Sequence, residues 1–374
     1  MKLIYLANIR LPTERAHGIQ IMKTCESLSN AGSRVVLVVP TRNNNTNNDP
    51  FSFYDIKNNF SIKRLPCPDL VRFGKPGVFI QYIYFSLLSL FYSLRSDADV
   101  FYSRDELPIW FLSFFNKKVF WESHTGKWNF LVSSITKRCF GVITISNGIK
   151  DFLKDKGIKS EKIFVSPDAV DINKFSLNIS AEEAKEKTGL PKDKKIIMYT
   201  GHLYGWKGVD TLGQALKNFD DKYLFVFVGG TSKHIEDFKR RYDEFGNLIM
   251  VGQVSHEKIP LYLKSADVLV IPNTGREDIS RLYTSPMKLF EYMASGVPIV
   301  ASDLPSIREI LDEGSAVFFE PDDSESLTGA IKKVFANSSL SCKLPTKAKD
   351  DSKKYSWENR ASGIINFISK NVTG

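Results

Sequence analysis

Short runs of β-branched and aromatic residues recur along this chain, each separated from the next by a segment of helical periodicity. KLIYLA, RVVLVV, DVFYS, KVFWES, GVITIS and KIFVS form a first series; KIIMYTG, YLFVFVGG, LIMVG, VLVIP, PIVAS and AVFFE form a second. Strands that alternate with helices pair in parallel through crossover connections, and near-continuous apolar runs suit strands buried on both faces. The expected fold is therefore α/β, with two successive doubly wound halves. A length of 374 residues agrees, because it exceeds what one ordinary core sustains. Between the two series, the polar segment 176–193 reads as a linker with a short helical piece, and 43–50 as an Asn-rich loop. At the end of the chain, SWENRASGIINFISK reads as a helix with Ser356 as its cap and Glu358 in its first turn. Its Ile364, Ile365, Phe367 and Ile368 need a surface to cover. Ligands of open parallel sheets bind beyond the carboxyl ends of the strands, so a cleft between the two halves is the expected site.

Charge and cysteines narrow the setting. The net charge is +9, and residues 1–185 carry 25 Lys and Arg against 17 Asp and Glu, whereas the rest is nearly balanced. The basic half is expected to face something anionic: a membrane surface, a phosphorylated lipid acceptor, or, ranked last, nucleic acid, for which no recognition module is present. Cys25, Cys67, Cys139 and Cys342 are scattered without metal-ligand or disulfide spacing, which favours a reducing cytoplasm and no structural metal. The N-terminal apolar run is too short for a signal peptide and reads as a first strand, Leu3 to Ala7. Residues 78–94 form a 17-residue uncharged stretch, short for a membrane span and broken by Gln81 and three serines. Burial in the core is the expectation for it, and grazing contact with a membrane, joined by the aromatic run 109–115, is the alternative.

Four turns carry candidate chemistry. In ERAHGIQ, Gly18 would let backbone approach a phosphate or sugar and Gln20 would reach a hydroxyl. In WESHTGKW, His124 ends a strand and is followed by Thr125. In TGHLYGWKGVDTL, Lys207 stands beside Gly208 at a helix start, a placement that suits a phosphate leaving group. The fourth is SPMKLFEYMASGVPIVASD, with Ser285 as N-cap, Pro286 as first helical residue, a helix to about Ala294 and Gly296 as its left-handed end. Pro286, Leu289, Phe290 and Met293 make its apolar stripe, leaving Lys288 and Glu291 on another face. Two readings stay open from this segment: an i,i+3 surface ion pair, or a helix start that holds a diphosphate while Glu291 accepts sugar hydroxyls. No Ser/His/Asp order, HExxH, Walker A or GxGxxG fingerprint is present, which disfavours hydrolase, metalloprotease, P-loop and dehydrogenase chemistry.

Together these pieces resemble glycosyltransferase family 4, retaining nucleotide-sugar enzymes of the GT-B fold, over nearly the whole chain. GHLYGWKGVDTL is similar to the family's G-R-x-x-x-x-K-G turn, SADVLVIPN to its following strand, and SPMKLFEYMASGVPIVASD to its second-glutamate helix. SPDAVDINKF is similar to its closing stretch, and KYSWENRA to the helix that crosses back to the first domain. The resemblance implies two Rossmann-like doubly wound domains facing across a cleft. Residues 1–178 would form an acceptor-side domain onto which the helix 355–374 packs, and 179–354 would bind the nucleotide-sugar.

Carried over by motif, the resemblance sets Gly18 beside the donor phosphate, Gln20 near the acceptor or sugar, and His124 at the transferred sugar, with Gln20, His124 and Thr125 on the acceptor side. Lys207 would contact the diphosphate, Glu291 the nucleotide ribose, and Val251 to Gln253 the base, with Tyr283, Thr284, Ser285, Pro286, Met287 and Lys288 lining the donor. His202 stands where the family has Arg, and Tyr283 where it has its first Glu; Lys288 is the candidate replacement for the missing charge, ahead of Arg276 and Arg281. The resemblance further implies transfer with retention, catalysed by His124, Lys207 and Glu291 without a metal or other cofactor. The donor would be UDP- or GDP-linked, and the acceptor a glycan or lipid-linked glycan in polysaccharide, lipopolysaccharide or glycolipid assembly. Peripheral contact with an anionic membrane at its cytoplasmic face fits the basic first half. A nucleotide-sugar epimerase or hydrolase of the same fold, and a non-catalytic nucleotide-sugar-binding partner, are the alternatives.

Overall fold

A computed structural model describes residues 1–44 and 48–373, in two compact units. One comprises Met1–Pro167 and the C-terminal segment from Trp357, the other Asp168–Ser356. Residues 45–47 of the Asn-rich stretch lie outside the described residues. Its end, Pro50, opens a short helix, Pro50–Tyr54, whose Asp49 cap accepts from the Ser52 N–H.

The first unit holds seven strands: β1 (Lys2–Leu6), β2 (Arg34–Pro40), β3 (Ser61–Leu65), β4 (Val100–Ser103), β5 (Val119–Ser123), β6 (Gly141–Thr144) and β7 (Ile163–Val165). They pair in parallel in the order β3-β2-β1-β4-β5-β6-β7. Every run of the first series forms a strand; β1 starts and ends one residue earlier than expected. The unexpected strand is β3, SIKRL, which pairs only with β2 at the sheet edge and is mostly exposed. An edge strand facing water needs no apolar run, so composition does not announce it.

The second unit repeats the plan with six parallel strands: β8 (Lys195–Thr200), β9 (Tyr223–Val228), β10 (Leu248–Gly252), β11 (Val268–Ile271), β12 (Ile299–Ser302) and β13 (Val317–Phe319). Their order is β10-β9-β8-β11-β12-β13. Both sheets reverse direction beside their first strand, between β1 and β4 and between β8 and β11, and such reversals open the ligand crevices of doubly wound sheets. The segment 176–193 is packed rather than a loose linker. Its helix Ala181–Thr188, capped by Ser180, buries Ala184 and Lys185, and Lys185 Nζ lies 2.9 Å from an Asp267 carboxylate oxygen. The terminal helix, Trp357–Thr373, forms as expected and buries Ile364 and Ile368 in the first unit's core.

The helix Gly74–Leu94 departs from the expectation of core burial. Its covered side is Gly77, Gln81, Phe85, Ser86, Ser89, Leu90 and Ser93, while Phe79, Ile80, Tyr84, Leu87 and Phe91 are exposed. With the single turn before it, Val71–Leu94 is long and apolar enough to cross a membrane by length and composition, and 39% of its most apolar window is buried.

Candidate functional site

In the second unit the candidate residues gather where β8 and β11 part. β8 ends at Thr200, and Gly201 follows with φ +119, a conformation that suits glycine. A Cβ at Gly201 would stand 3.2 Å from Lys288 Nζ, so the bare backbone there makes room for that ammonium. The chain then forms a single turn, Gly205–Lys207, and Gly208 at φ +68 turns it into the helix Val209–Ala215. A Cβ on Gly208 would lie 1.7 Å from the Pro272 carbonyl oxygen just after β11, so the turn carrying Lys207 is seated directly on the end of that strand.

Lys288 comes from the other side of the crevice, on the helix Met287–Ser295. This helix starts one residue later than expected: Pro286 is an extended N-cap residue without a side-chain cap, and Gly296 ends the helix in the left-handed region as expected. Ser285 does not cap it, because its hydroxyl accepts the Asp168 N–H at 3.0 Å. A helix start without a side-chain cap leaves its first N–H groups for another acceptor.

The surface ion-pair reading of Lys288 and Glu291 is excluded, since both are buried and they do not pair. Glu291 Oε1 lies 2.8 Å from His256 Nε2. Lys288 Nζ is buried with no hydrogen-bond partner, 3.6 Å from the centroid of the Tyr199 ring. Burial, then the nearby Lys207, push its pKa well down against the pull of Glu291. Burial likewise lowers Lys207 to about 7, opposed by Asp168. Lys207 Nζ lies 3.8 Å from the Trp206 ring centroid. Among the described residues neither lysine is paired with a carboxylate. Two neighbouring, desolvated lysine side chains beside an uncapped helix start have no carboxylate paired with them, and a diphosphate has the charge to hold both protonated and the acceptor oxygens to bond them.

The other donor-side candidates surround this pair less tightly. The His202 ring stacks on Tyr204 at 5.1 Å, and its carbonyl accepts from the Tyr199 hydroxyl at 2.8 Å. Tyr283 and Thr284 lie between the short helix Asp278–Arg281 and Pro286, ahead of Met287. Val251 and Gln253 lie at the end of the edge strand β10, two strands from β8. The weaker charge candidates are engaged at the surface, Arg276 near Asp322 and Arg281 with Asp278.

In the first unit the structure joins Gln20 to His124 through a residue that sequence reasoning missed. Glu122, fully buried at the end of β5, accepts from Gln20 Nε2 at 2.8 Å, from Arg360 at 2.9 Å and from the Tyr102 hydroxyl. His124 Nε2 lies 2.6 Å from the same carboxylate. Arg360, on the terminal helix, also donates to the Pro167 carbonyl and to Thr24, and Arg104 donates to Gln20 Oε1 at 3.1 Å. Burial alone would raise the Glu122 pKa, but the Arg360 guanidinium with the bonds from His124 and Tyr102 holds it well below the usual range. Burial and Arg104 lower His124 to about 4, so its ring is neutral at pH 7. A carboxylate only accepts, so the Nε2–H tautomer follows and Nδ1 is left as an acceptor.

Thr125 follows His124, and its carbonyl accepts from the Ser123 hydroxyl. Gly18 sits in the first turn of the helix Ala16–Asn30, where a Cβ would meet the Tyr54 hydroxyl oxygen at 2.3 Å and Thr13 at 2.6 Å. The space left by its missing side chain is thus filled by its own unit. Among the described residues, no group of three or more His, Cys, Asp or Glu side chains is placed to hold a metal ion.

Residues 180–354 match the family model of glycosyl transferases group 1. That match corrects the assignment to glycosyltransferase family 4 made from the motifs. Among curated proteins, the uncharacterized glycosyltransferase MJ1607 of Methanocaldococcus jannaschii is 26% identical over 235 residues, 60% of this chain and 58% of that protein. The O-antigen chain mannosyltransferase RfbU of Salmonella typhimurium is 26% identical over 234 residues, 62% of this chain and 59% of that protein. The phosphatidyl-myo-inositol mannosyltransferase of Mycobacterium leprae is 29% identical over 208 residues, 53% and 52% of the two chains. These alignments span between half and three-fifths of the relatives' lengths.

Among solved structures, sucrose-phosphate synthase from Thermosynechococcus elongatus superimposes with a TM-score of 0.82 at 18% identity, covering 99% of this chain and 98% of that one. Anabaena Alr3699/HepE, solved with UDP and glucose, gives 0.77 at 14% identity, covering 99% of each chain. At these identities the likeness shows the fold: two Rossmann-like α/β domains of the GT-B type.

Proposed function

We propose that this chain is a retaining glycosyltransferase that moves a sugar from a UDP- or GDP-sugar to a hydroxyl of a glycan or lipid-linked acceptor in cell-surface polysaccharide or glycolipid assembly. The observation that carries the reading is the buried, unpartnered Lys288 ammonium beside Lys207 at the uncapped start of the Met287–Ser295 helix. The match to glycosyl transferases group 1 and the relatives named as O-antigen chain and phosphatidyl-myo-inositol mannosyltransferases support it.

In this reading the donor diphosphate lies between the two ammonium groups and the helix N-terminus. As the bond from the anomeric carbon to the diphosphate oxygen lengthens, negative charge grows on the leaving group where these donors already point. Preorganised charge of this kind is worth more in a desolvated site than in water. The acceptor oxygen attacks the same face from which the diphosphate departs, which retains configuration, and its proton passes to a leaving-group oxygen. Glu291, oriented by His256, accepts the nucleotide's ribose hydroxyls. In the first unit, His124 and Gln20, both held by Glu122, present hydrogen-bonding groups to the transferred sugar and acceptor. Lys288 takes over the fixed charge that the usual Arg would provide at His202.

The test is turnover by Lys207→Ala and Glu291→Ala, each checked for unchanged melting. Loss of most activity in both is expected; near-normal rates in both would remove the assigned site. Donor breakdown or epimer formation without any acceptor would identify the epimerase or hydrolase alternative instead.

A further inference from the structure

The helix Gly74–Leu94 is built inside out. A helix that faces water turns its large apolar residues inward, but five of the seven buried positions here are Gly77, Gln81, Ser86, Ser89 and Ser93. Two of the three serines are satisfied within the helix itself: Ser86 Oγ donates to the Tyr82 carbonyl at 2.7 Å, and Ser89 Oγ to the Ser86 carbonyl at 2.9 Å. The outward stripe follows the helical repeat through Ile80, Tyr84, Leu87 and Phe91, with Phe79 beside it. Phe79 is 63% exposed, Ile80 54% and Phe91 55%. Small residues against the protein and large apolar ones outward are the arrangement of a helix whose outer solvent is lipid.

The neighbouring layer continues the pattern. Phe114 and Phe130, both exposed, contact Trp110 of the adjoining helix Glu106–Leu112. So much exposed aromatic surface on one unit marks an interaction face.

Charge and topology choose the occupant. Arg72 stacks over exposed Phe73, Arg138 stacks over Phe114, and Lys75 is the second residue of the helix. No Asp or Glu occurs between Val71 and Ser96. A second copy would bring two strongly basic surfaces together, whereas an anionic bilayer meets the arginines with phosphate and the aromatic stripe with acyl chain. The strands flanking the helix, β3 and β4, belong to one sheet, so both helix ends return to the same body and the helix lies along the surface rather than spanning.

We propose that the outer face of the Gly74–Leu94 helix, with Phe114 and Phe130 beside it, is a docking surface for an anionic lipid bilayer. The inference does not rest on sugar transfer, and its test reads lipid binding alone.

The test is co-sedimentation of the whole protein with vesicles of phosphatidylcholine containing about one-third phosphatidylglycerol, and with phosphatidylcholine alone. The wild type is expected to bind the anionic vesicles at low salt and to release progressively as salt rises. The triple variant Ile80→Ser, Leu87→Ser, Phe91→Ser should bind at least about tenfold more weakly, with an unchanged far-ultraviolet spectrum and unchanged donor binding. A second variant, Arg72→Glu with Lys75→Glu, should lose the preference for anionic vesicles. Absence of wild-type binding to either vesicle at low salt, or equal binding by the triple variant, would overturn the proposal. So would a concentration-dependent dimer that the triple variant abolishes, which would assign the face to a second copy.

Discussion

Replacing Lys288 with methionine separates a ligand-binding lysine from a structural one. The side chain is buried, its Nζ has no hydrogen-bond partner, and its nearest feature is the Tyr199 ring at 3.6 Å. In the free protein an unsatisfied buried polar group costs about 1–3 kcal/mol. Methionine keeps nearly the same length and removes that cost, so Lys288→Met should stabilise the ligand-free protein by about 1–3 kcal/mol. At roughly 2–4 °C per kcal/mol for a unit of this size, its melting temperature should rise by about 2–12 °C. With a nucleotide-sugar bound, the same ammonium makes charge-assisted hydrogen bonds worth about 1.5–3 kcal/mol, so the variant should bind the donor about 10- to 150-fold more weakly. Thermal melting without ligand and calorimetric titration with UDP- and GDP-sugars measure both effects. A variant that melts lower than wild type and binds donor equally well would refute the reasoning, because Lys288 would then be a structural residue.

Lys207, at about 7 in the free protein, is charged below that pH and neutral above it, and a bound diphosphate raises its pKa. Donor affinity should therefore be full below pH 7 and fall as pH rises; between pH 6.5 and 8.5 Lys207 alone accounts for about a 25-fold loss, measured by calorimetry. Arg360→Met leaves the Glu122 carboxylate buried without its guanidinium, which should destabilise the first unit by about 3–5 kcal/mol in urea melts. Glu122→Gln in the same background should recover part of it. Gly208→Ala adds a Cβ against the Pro272 carbonyl at positive φ, so it should cost more than about 1 kcal/mol and displace Lys207, weakening donor binding by titration.

Both sheets are readable in sequence because nine of their thirteen strands have neighbours on both edges, and every strand but β3 carries an apolar run that needs no partner to be recognised. β3 is not, since an exposed edge strand is free to be SIKRL. Lys207, Lys288 and Glu291 stood out because a turn and a helix start are local features, written in contiguous residues. Glu122 did not, because its meaning comes from Arg360, 238 positions away, and from Gln20, 102 positions away, brought together only by the sheet order and the terminal helix. His256 was missed for the same reason: nothing local marks it as the partner of Glu291. The 78–94 stretch reads as core from its composition, which counts apolar residues but does not say on which side of a helix they fall once its serines are buried. His202 shows the converse: a departure visible in sequence, whose consequence depends on finding Lys288 Nζ beside Gly201.

Phosphorus NMR of a UDP- or GDP-sugar titrated with the protein tests most directly whether the second unit holds a donor diphosphate. The account predicts that both phosphorus resonances of one nucleotide class shift or broaden on binding, and that the effect is lost in the Lys207→Ala, Lys288→Met double variant while the protein stays folded. Unchanged resonances for every nucleotide-sugar at millimolar concentration, or the same change with the double variant as with wild type, would contradict it.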